Sequence, residues 1–376
     1  MLNEPPASFP GGWSHQTRKP GEKIGGARYI LKKKLGQGEW TEVWLARDVK
    51  WERDVTLKFL PAQLLENGHL LEHIDDEVRR SAQLAHPAIA RVFDFLYEPQ
   101  AAAIATEYVD GWSLSALKLD RPQNRFSIEE INLWTHQVCA ALDYSHHEFC
   151  LVHRDLNPSN LLLNGRDQLK VTDFAITHAI RNAAAQATDT KRSRIAYFSP
   201  QQLTGAEASL LDDIYALGAT IYELSTGTAP FYQGELQTQI LEVVAPSMND
   251  RLHELGVNDL IPSAWEETIA ACLSKDPGKR PQSASEVLRG LAKTWATSQV
   301  VSPLRTRLHS KKEAIRNFAF TKFRVWPRAI ETFIKFRPRA DQVIDAIRRN
   351  PRRLLAIILA VAAINLGIAL WFLFRR

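Results

Sequence analysis

Residues 151–160 read LVHRDLNPSN, and nine residues further on the strand-like triplet LKV (169–171) runs into Asp173-Phe174. Asp155, Asn160 and Asp173 thus place two carboxylates and an amide oxygen at the ends of short apolar segments. Oxygen donors of this kind hold a hard divalent cation, and a carboxylate beside them can orient an attacking hydroxyl. Working back along the chain, Lys58 ends the strand-like VTLK, and Glu77 lies in a helical stretch nine residues before His86-Pro87. Earlier still, Gly36-Gln37-Gly38 sits between two strand-like segments, where glycine lets backbone approach a polyphosphate closely. Taken singly each feature has an ordinary explanation: a hairpin turn, a surface ion pair between Lys58 and Glu77, a cap or turn aspartate. In this order they form the set that a nucleoside triphosphate site needs.

That set resembles the protein kinase superfamily, and within it the bacterial, eukaryotic-like serine/threonine kinases that end in a transmembrane helix. The resemblance covers about residues 29–296 and implies an α+β, two-lobed kinase fold: a β-rich N-lobe at about 29–106 and a helical C-lobe at about 111–296. It implies ATP and Mg²⁺ as cofactors, a protein substrate, and transfer of the γ-phosphate to a serine or threonine hydroxyl. By the same resemblance Leu35, Gly36, Gln37, Gly38 and Val43 belong to the loop over the phosphates, Lys58 binds phosphate and pairs with Glu77, and Glu107 and Val109 belong to the adenine hinge. Asp155 is then the catalytic aspartate, with Asn160 and Asp173 as metal ligands. Ser199-Pro200-Gln201, Asp213 to Gly218 and Arg280-Pro281 resemble landmarks of the helical lobe. They favour a protein substrate over a small molecule.

Several positions depart from the family pattern. Thr41 and Ala175 replace glycines, and Gln201 replaces the glutamate that would pair with Arg280. Asn157 stands where a lysine reaches the transferring phosphate, and Arg194 where a threonine lies near the substrate residue. Loss of a cation at the transition state costs about 3 kcal/mol, roughly a hundredfold in rate. Two readings therefore stay open: an active kinase, or a pseudokinase that signals by binding. Between Asp173 and Pro200, Thr188, Thr190 and Ser193 are candidate phosphorylation sites, with Arg154 as the receiver of the phosphate.

Around these motifs the sequence patterns divide cleanly. Arg28 to Leu35, Glu42 to Arg47 and Asp54 to Leu60 alternate as strands. Ile128 to His146 has helical spacing behind the cap Ser127–Glu130, and helices are expected around Ile214–Thr226, Ala264–Leu273 and Ala284–Thr294. Residues 1–28, rich in Pro and Gly, read as a flexible leader. Cys139, Cys150 and Cys272 are widely spaced and form no CxxC, so neither a disulfide framework nor a zinc site is indicated, and a reducing compartment fits.

The net charge of +5 conceals an asymmetry. Residues 305–353 hold fifteen Lys/Arg against four Asp/Glu, whereas residues 1–304 carry a net −8. An acidic main domain argues against nucleic acid as a partner. Leu354 to Phe374 is an uncharged run of 21 residues. As a helix it reaches roughly 32 Å, the thickness of a hydrocarbon core. The basic, aromatic-interleaved linker 297–353 before it suits an anionic membrane surface. These features predict a single-pass, tail-anchored protein of the cell membrane with its main domain cytoplasmic. Dimerisation stays open.

Overall fold

In β3 (Glu42–Asp48), strict alternation buries Glu42, Trp44, Ala46 and Asp48 on one face and leaves Val43, Leu45 and Arg47 half-buried on the other. The computed structural model describes residues 18–37, 41–99, 101–176, 179–180 and 195–297. Its first part is an antiparallel six-stranded sheet. The strands are β1 (Lys23–Ile24), β2 (Tyr29–Gln37), β3, β4 (Arg53–Phe59), β5 (Val92–Glu98) and β6 (Ala101–Glu107), in the spatial order β1-β2-β3-β4-β6-β5.

Both faces of this sheet are covered, and β6 shows how. Ala101, Ala103 and Ala105 pack with Ile24, Tyr29, Leu31, Trp44, Leu57 and Phe59. Ala102 and Ile104 face the other way, against Leu71, Ile74 and Val78 of helix α1 (Gly68–Ala82). Ile24, from the expected flexible leader, is part of that first cluster, which corrects the expectation for residues 18–28. Gly25, Gly26 and Ala27 all take positive φ (66, 60 and 70°) and turn the chain so that β1 pairs with the start of β2. The glycines make a hairpin turn rather than a flexible tether.

The second part is helical, apart from a small sheet of β7 (Gly111–Ser113), β8 (Leu161–Asn164) and β9 (Leu169–Val171). Gly111 is required there, because a Cβ would lie 2.1 Å from the carbonyl oxygen of Leu163. The helices are α2 (Leu114–Leu119), α3 (Ile128–Phe149), α4 (Pro200–Leu203), α5 (Leu210–Thr226), α6 (Leu236–Glu242), α7 (Met248–Glu254), α8 (Ser263–Cys272) and α9 (Ala284–Thr297). Capping boxes start α3 (Ser127 with Glu130) and α5 (Ser209 with Asp212). From Asp212 to Thr226 every residue of α5 is buried, as expected of a helix with no polar stripe, and α3, α7 and α8 surround it. The two lobes thus follow the expected plan.

All three cysteines are free; Cys139 and Cys272 are buried and Cys150 is exposed. Among the described residues no helix is long and apolar enough to cross a membrane. The expected span, Leu354 to Phe374, and the basic linker lie outside the described residues.

Candidate active site

The 151–160 segment is built onto α5 through Asp213. This buried carboxylate accepts the backbone N–H groups of His153 (2.7 Å, Oδ2) and Arg154 (2.9 Å, Oδ1), and its Oδ2 lies 2.8 Å from Nε2 of His146 on α3. Burial pushes its carboxyl pKa up, but the hydrogen bond from His146, with the backbone donor and electrostatic influence of His153, outweighs this and holds it below the ordinary aspartate value. His153 in turn bridges two segments: Nε2 donates to the carbonyl of Thr172 (2.9 Å), and Nδ1 accepts the N–H of Asp155 (3.2 Å), a tautomer assigned from these partners. Asp213 was read from the sequence only as a landmark of the helical lobe and Thr172 not at all, yet both are parts of the site. The available signal was an acid in the first turn of a helix with no polar face.

Asn160 donates its amide to the carbonyl oxygen of Asp155 (2.8 Å) and to Oδ2 of the same residue (3.0 Å). Its backbone carbonyl accepts the N–H of Thr172 (2.9 Å), which draws Asp173 alongside. Asp155, Asn160 and Asp173, expected to work together, are therefore assembled in one place. Asn160 Oδ1 and the Asp173 carboxylate are hard oxygen donors, which suits a divalent cation that keeps water and phosphate oxygens as its other ligands. Among the described residues no group of three or more His, Cys, Asp and Glu could hold a metal ion unaided.

Asn157 has a different role from the lysine whose place it takes. It is buried, donates to the carbonyl of Asp155 (2.7 Å) and accepts the N–H of Ser159 (2.9 Å). The side chain braces the loop from within, and no cation extends from this position.

Lys58 and Glu77 do not pair, contrary to the expectation. Lys58 Nζ is bonded to Oδ1 of Asp173, while Oε1 of Glu77 lies 3.3 Å from Arg80 and 4.0 Å from Arg154. Oε2 of Glu77 is buried without a hydrogen-bond partner. The cause is the position of α1. Ile176, Ala179 and Ile180 are buried in the cluster formed by Leu71, Ile74 and Val78, and Ser81 Oγ donates to the carbonyl of Phe174 (2.7 Å). The segment after Asp173 and α1 are thus held together. Asp173 and Ala175 flank Phe174 with φ of 68 and 56°, a conformation that costs a side-chain-bearing residue about 1–2 kcal/mol.

The remaining nucleotide candidates lie at the ends of β2 and β3 and at and beyond the end of β6. Val43 pairs with both Gly36 and Lys58 across β2-β3-β4. Leu35 is exposed, Val109 is buried beyond the end of β6, and Glu107 ends β6 with its carboxylate 2.9 Å from Lys170 and accepting the N–H of Arg91. Arg154 lies near Glu77 as described. Gly38, Thr188, Thr190, Ser193 and Arg194 lie outside the described residues.

The sequence pattern of the protein kinase domain family matches residues 29–291. This chain belongs to the protein kinase domain family. Serine/threonine-protein kinase PrkC of Bacillus subtilis is 30% identical over 275 residues, and serine/threonine-protein kinase PknB of Mycobacterium tuberculosis is 32% identical over 280. Both matches cover 71% of this chain but only 40% and 42% of the relatives' own lengths. The crystal structure of the Mycobacterium tuberculosis PknI kinase domain shares the fold: TM-score 0.60 at 24% identity, covering 74% of this chain and all of that one. Membership of the kinase family implies ATP and a divalent cation. Within this kinase domain, Gln201 keeps a neutral version of the landmark pair. Its Oε1 accepts from Nη2 of Arg280 (2.6 Å), and Arg280 also donates to the carbonyls of Ser274 and Leu211. The hydrogen bond survives without the second charge.

Proposed function

We propose that this chain is a membrane-anchored serine/threonine protein kinase that transfers the γ-phosphate of ATP to a protein hydroxyl with Mg²⁺. The observation that carries the reading is the hydrogen-bonded pair of Asp155 and Asn160, with Asp173 brought alongside through Thr172 and Lys58 bonded to the Asp173 carboxylate. Asp155, oriented by Asn160, aligns the substrate hydroxyl and accepts its proton as the new P–O bond forms and the bond to the β-phosphate oxygen breaks. Asn160 and Asp173 would hold Mg²⁺, which would supply charge neutralisation at the phosphate oxygens. Lys58 leaves Asp173 for the α/β-phosphates, and the unpartnered Oε2 of Glu77 receives it from the other side.

A second reading, a pseudokinase that binds nucleotide and signals by conformation, draws support from Asn157, whose side chain is committed to the loop. The two separate in one assay. The full chain is incubated with labelled ATP, Mg²⁺ and a generic basic protein substrate, beside Asp155→Asn. Transfer that falls about a hundredfold or more in the variant supports the kinase. ATP binding without transfer in either chain supports the second reading.

The anchor is a separate part of the proposal, supported by the 21-residue apolar run after a strongly basic linker. Cell fractionation is the check: the full chain sediments with membranes, and a chain stopped after residue 353 does not withstand a carbonate wash. A soluble full chain would remove the anchor and leave the kinase reading standing.

A further inference from the structure

Arg18 precedes the part of the chain that matches the kinase family, residues 29–291. Even so, its side chain is only 4% exposed. Its guanidinium carbon stands 3.7 Å from the centroid of the Phe59 ring, and Nη1 lies 3.3 Å from Oε2 of Glu42. Lys34 takes the other oxygen of the same carboxylate at 2.7 Å. The leader is laid into this place by its backbone: Gly21 N–H donates to Leu31 O (2.7 Å), and Leu31 N–H donates to Glu22 O (2.9 Å).

The three strands gripped here are those that carry the phosphate-loop candidates. Gln37, Glu42 and Phe59 form one register row across β2, β3 and β4, and Gly36, Val43 and Lys58 form the next. Strand alternation sends Glu42 and Phe59 to the buried face that also carries Trp44 and Leu57, and Val43 and Lys58 to the opposite one. A cation wedged between Glu42 and Phe59 therefore acts on the backs of the residues whose fronts line the nucleotide candidates. Strand ends open at lower free energy than the middle of a sheet. A buried, stacked arginine is suited to prevent that, because its planar group serves the ring and the carboxylate at once.

We propose that Arg18 is a positioning residue: it pins the ends of β3 and β4 from the face opposite Val43 and Lys58 and so holds the phosphate-binding strand ends in their nucleotide-ready register. The proposal rests on the nucleotide-site reading given above. Its signature is selective. ATP, which needs those strand ends for its phosphates, loses affinity when the pin is removed, while adenosine, held at the hinge, does not.

The test compares the full chain with Arg18→Ala and Arg18→Lys, titrated calorimetrically with Mg²⁺-ATP and, separately, with adenosine. In Arg18→Ala the Kd for ATP rises about fivefold, and that for adenosine stays within about twofold. Arg18→Lys recovers part of the loss, since it keeps the charge toward Glu42 without the stacking. Hydrogen exchange of the ligand-free chains adds a reading that needs no nucleotide: the amides of Gly36, Gln37, Glu42 and Val43 exchange faster in Arg18→Ala, with those of α5 unchanged. Equal weakening of ATP and adenosine would show a loosened lobe rather than positioned strand ends and would overturn the proposal, as would unchanged ATP affinity. If the parent chain binds neither ligand, the nucleotide reading fails, and exchange alone decides whether Arg18 pins the strand ends; unchanged exchange overturns it.

Discussion

Asp213 makes more of the site than any residue that does chemistry there, because one buried carboxylate fixes two consecutive backbone amides and a histidine. Replacing it with asparagine preserves the shape but presents an NH₂ where at least one N–H donor already points. Asp213→Asn is expected to lose about 3 kcal/mol of stability at neutral pH, read from urea unfolding. The pH dependence has a definite sign. The folded pKa lies below the unfolded one, so the stabilisation is complete above the ordinary aspartate value of about 4 and is lost as pH falls through the folded value. The gap between parent and variant should therefore close in acid, and a gap independent of pH would contradict the assignment. At this scale the identities of Lys58, Glu77, Asp155, Asn160 and Asp173 were legible, since each residue type has few chemical uses in that order. The partner of Lys58 was not. Glu77 and Asp173 are both carboxylates suited to it, and the choice depends on where α1 sits. Asn157 was legible as a missing cation but not as a brace, because its bonds are to backbone groups that no side-chain pattern reveals.

Helix α5 carries these groups only if α8 can pack closely against it, and Gly218 is the point of approach. A Cβ built there lies 2.5 Å from Cβ of Cys272 and 3.6 Å from the Leu273 side chain. The Cys272 atom is attached directly to helix backbone and cannot swing aside. Intrinsic helix preference favours alanine over glycine by about 1 kcal/mol, while overpacking a tight core costs about 1–3 kcal/mol. Since a 2.5 Å separation belongs to the severe end, Gly218→Ala should be net destabilising by about 1 kcal/mol or more, seen as a lower urea midpoint with unchanged slope. A higher midpoint would mean that α8 yields. Element type was readable from alternation and spacing, and the expected strands and helices are present within a few residues. The start of α5 was missed by four residues, because Asp212 and Asp213 separate the opening Leu210-Leu211 from the apolar run that begins at Ile214. Residues 18–28 of the leader were misread for a related reason: glycine signals a turn as readily as it signals freedom, and only the burial of Ile24 and Arg18 separates the two.

Across the whole kinase domain the same side chains admit two consistent pairings. In the structure Lys58 holds Asp173, Glu77 faces Arg154, and Ile176, Ala179 and Ile180 are buried against α1. In the nucleotide-bound arrangement proposed above, Asp173 turns to the cation and Lys58 to the phosphates. Oε2 of Glu77 then gains its missing partner, and α1 must shift away from the segment after Asp173. A ligand that needs the second arrangement binds with its affinity reduced by the population of the first. Weakening the contact that belongs only to the first should therefore tighten binding. Ile180 is the residue to change: it is 2% exposed, and its role is apolar packing against Leu71, Ile74 and their neighbours. Ile180→Ser removes buried apolar area from the first arrangement, so total stability falls by about 2 kcal/mol while the Kd for Mg²⁺-ATP falls about threefold or more. Opposite signs for stability and affinity are the discriminating result. General damage to the lobe would weaken both together, and unchanged affinity would mean that α1 and the segment after Asp173 do not compete with nucleotide.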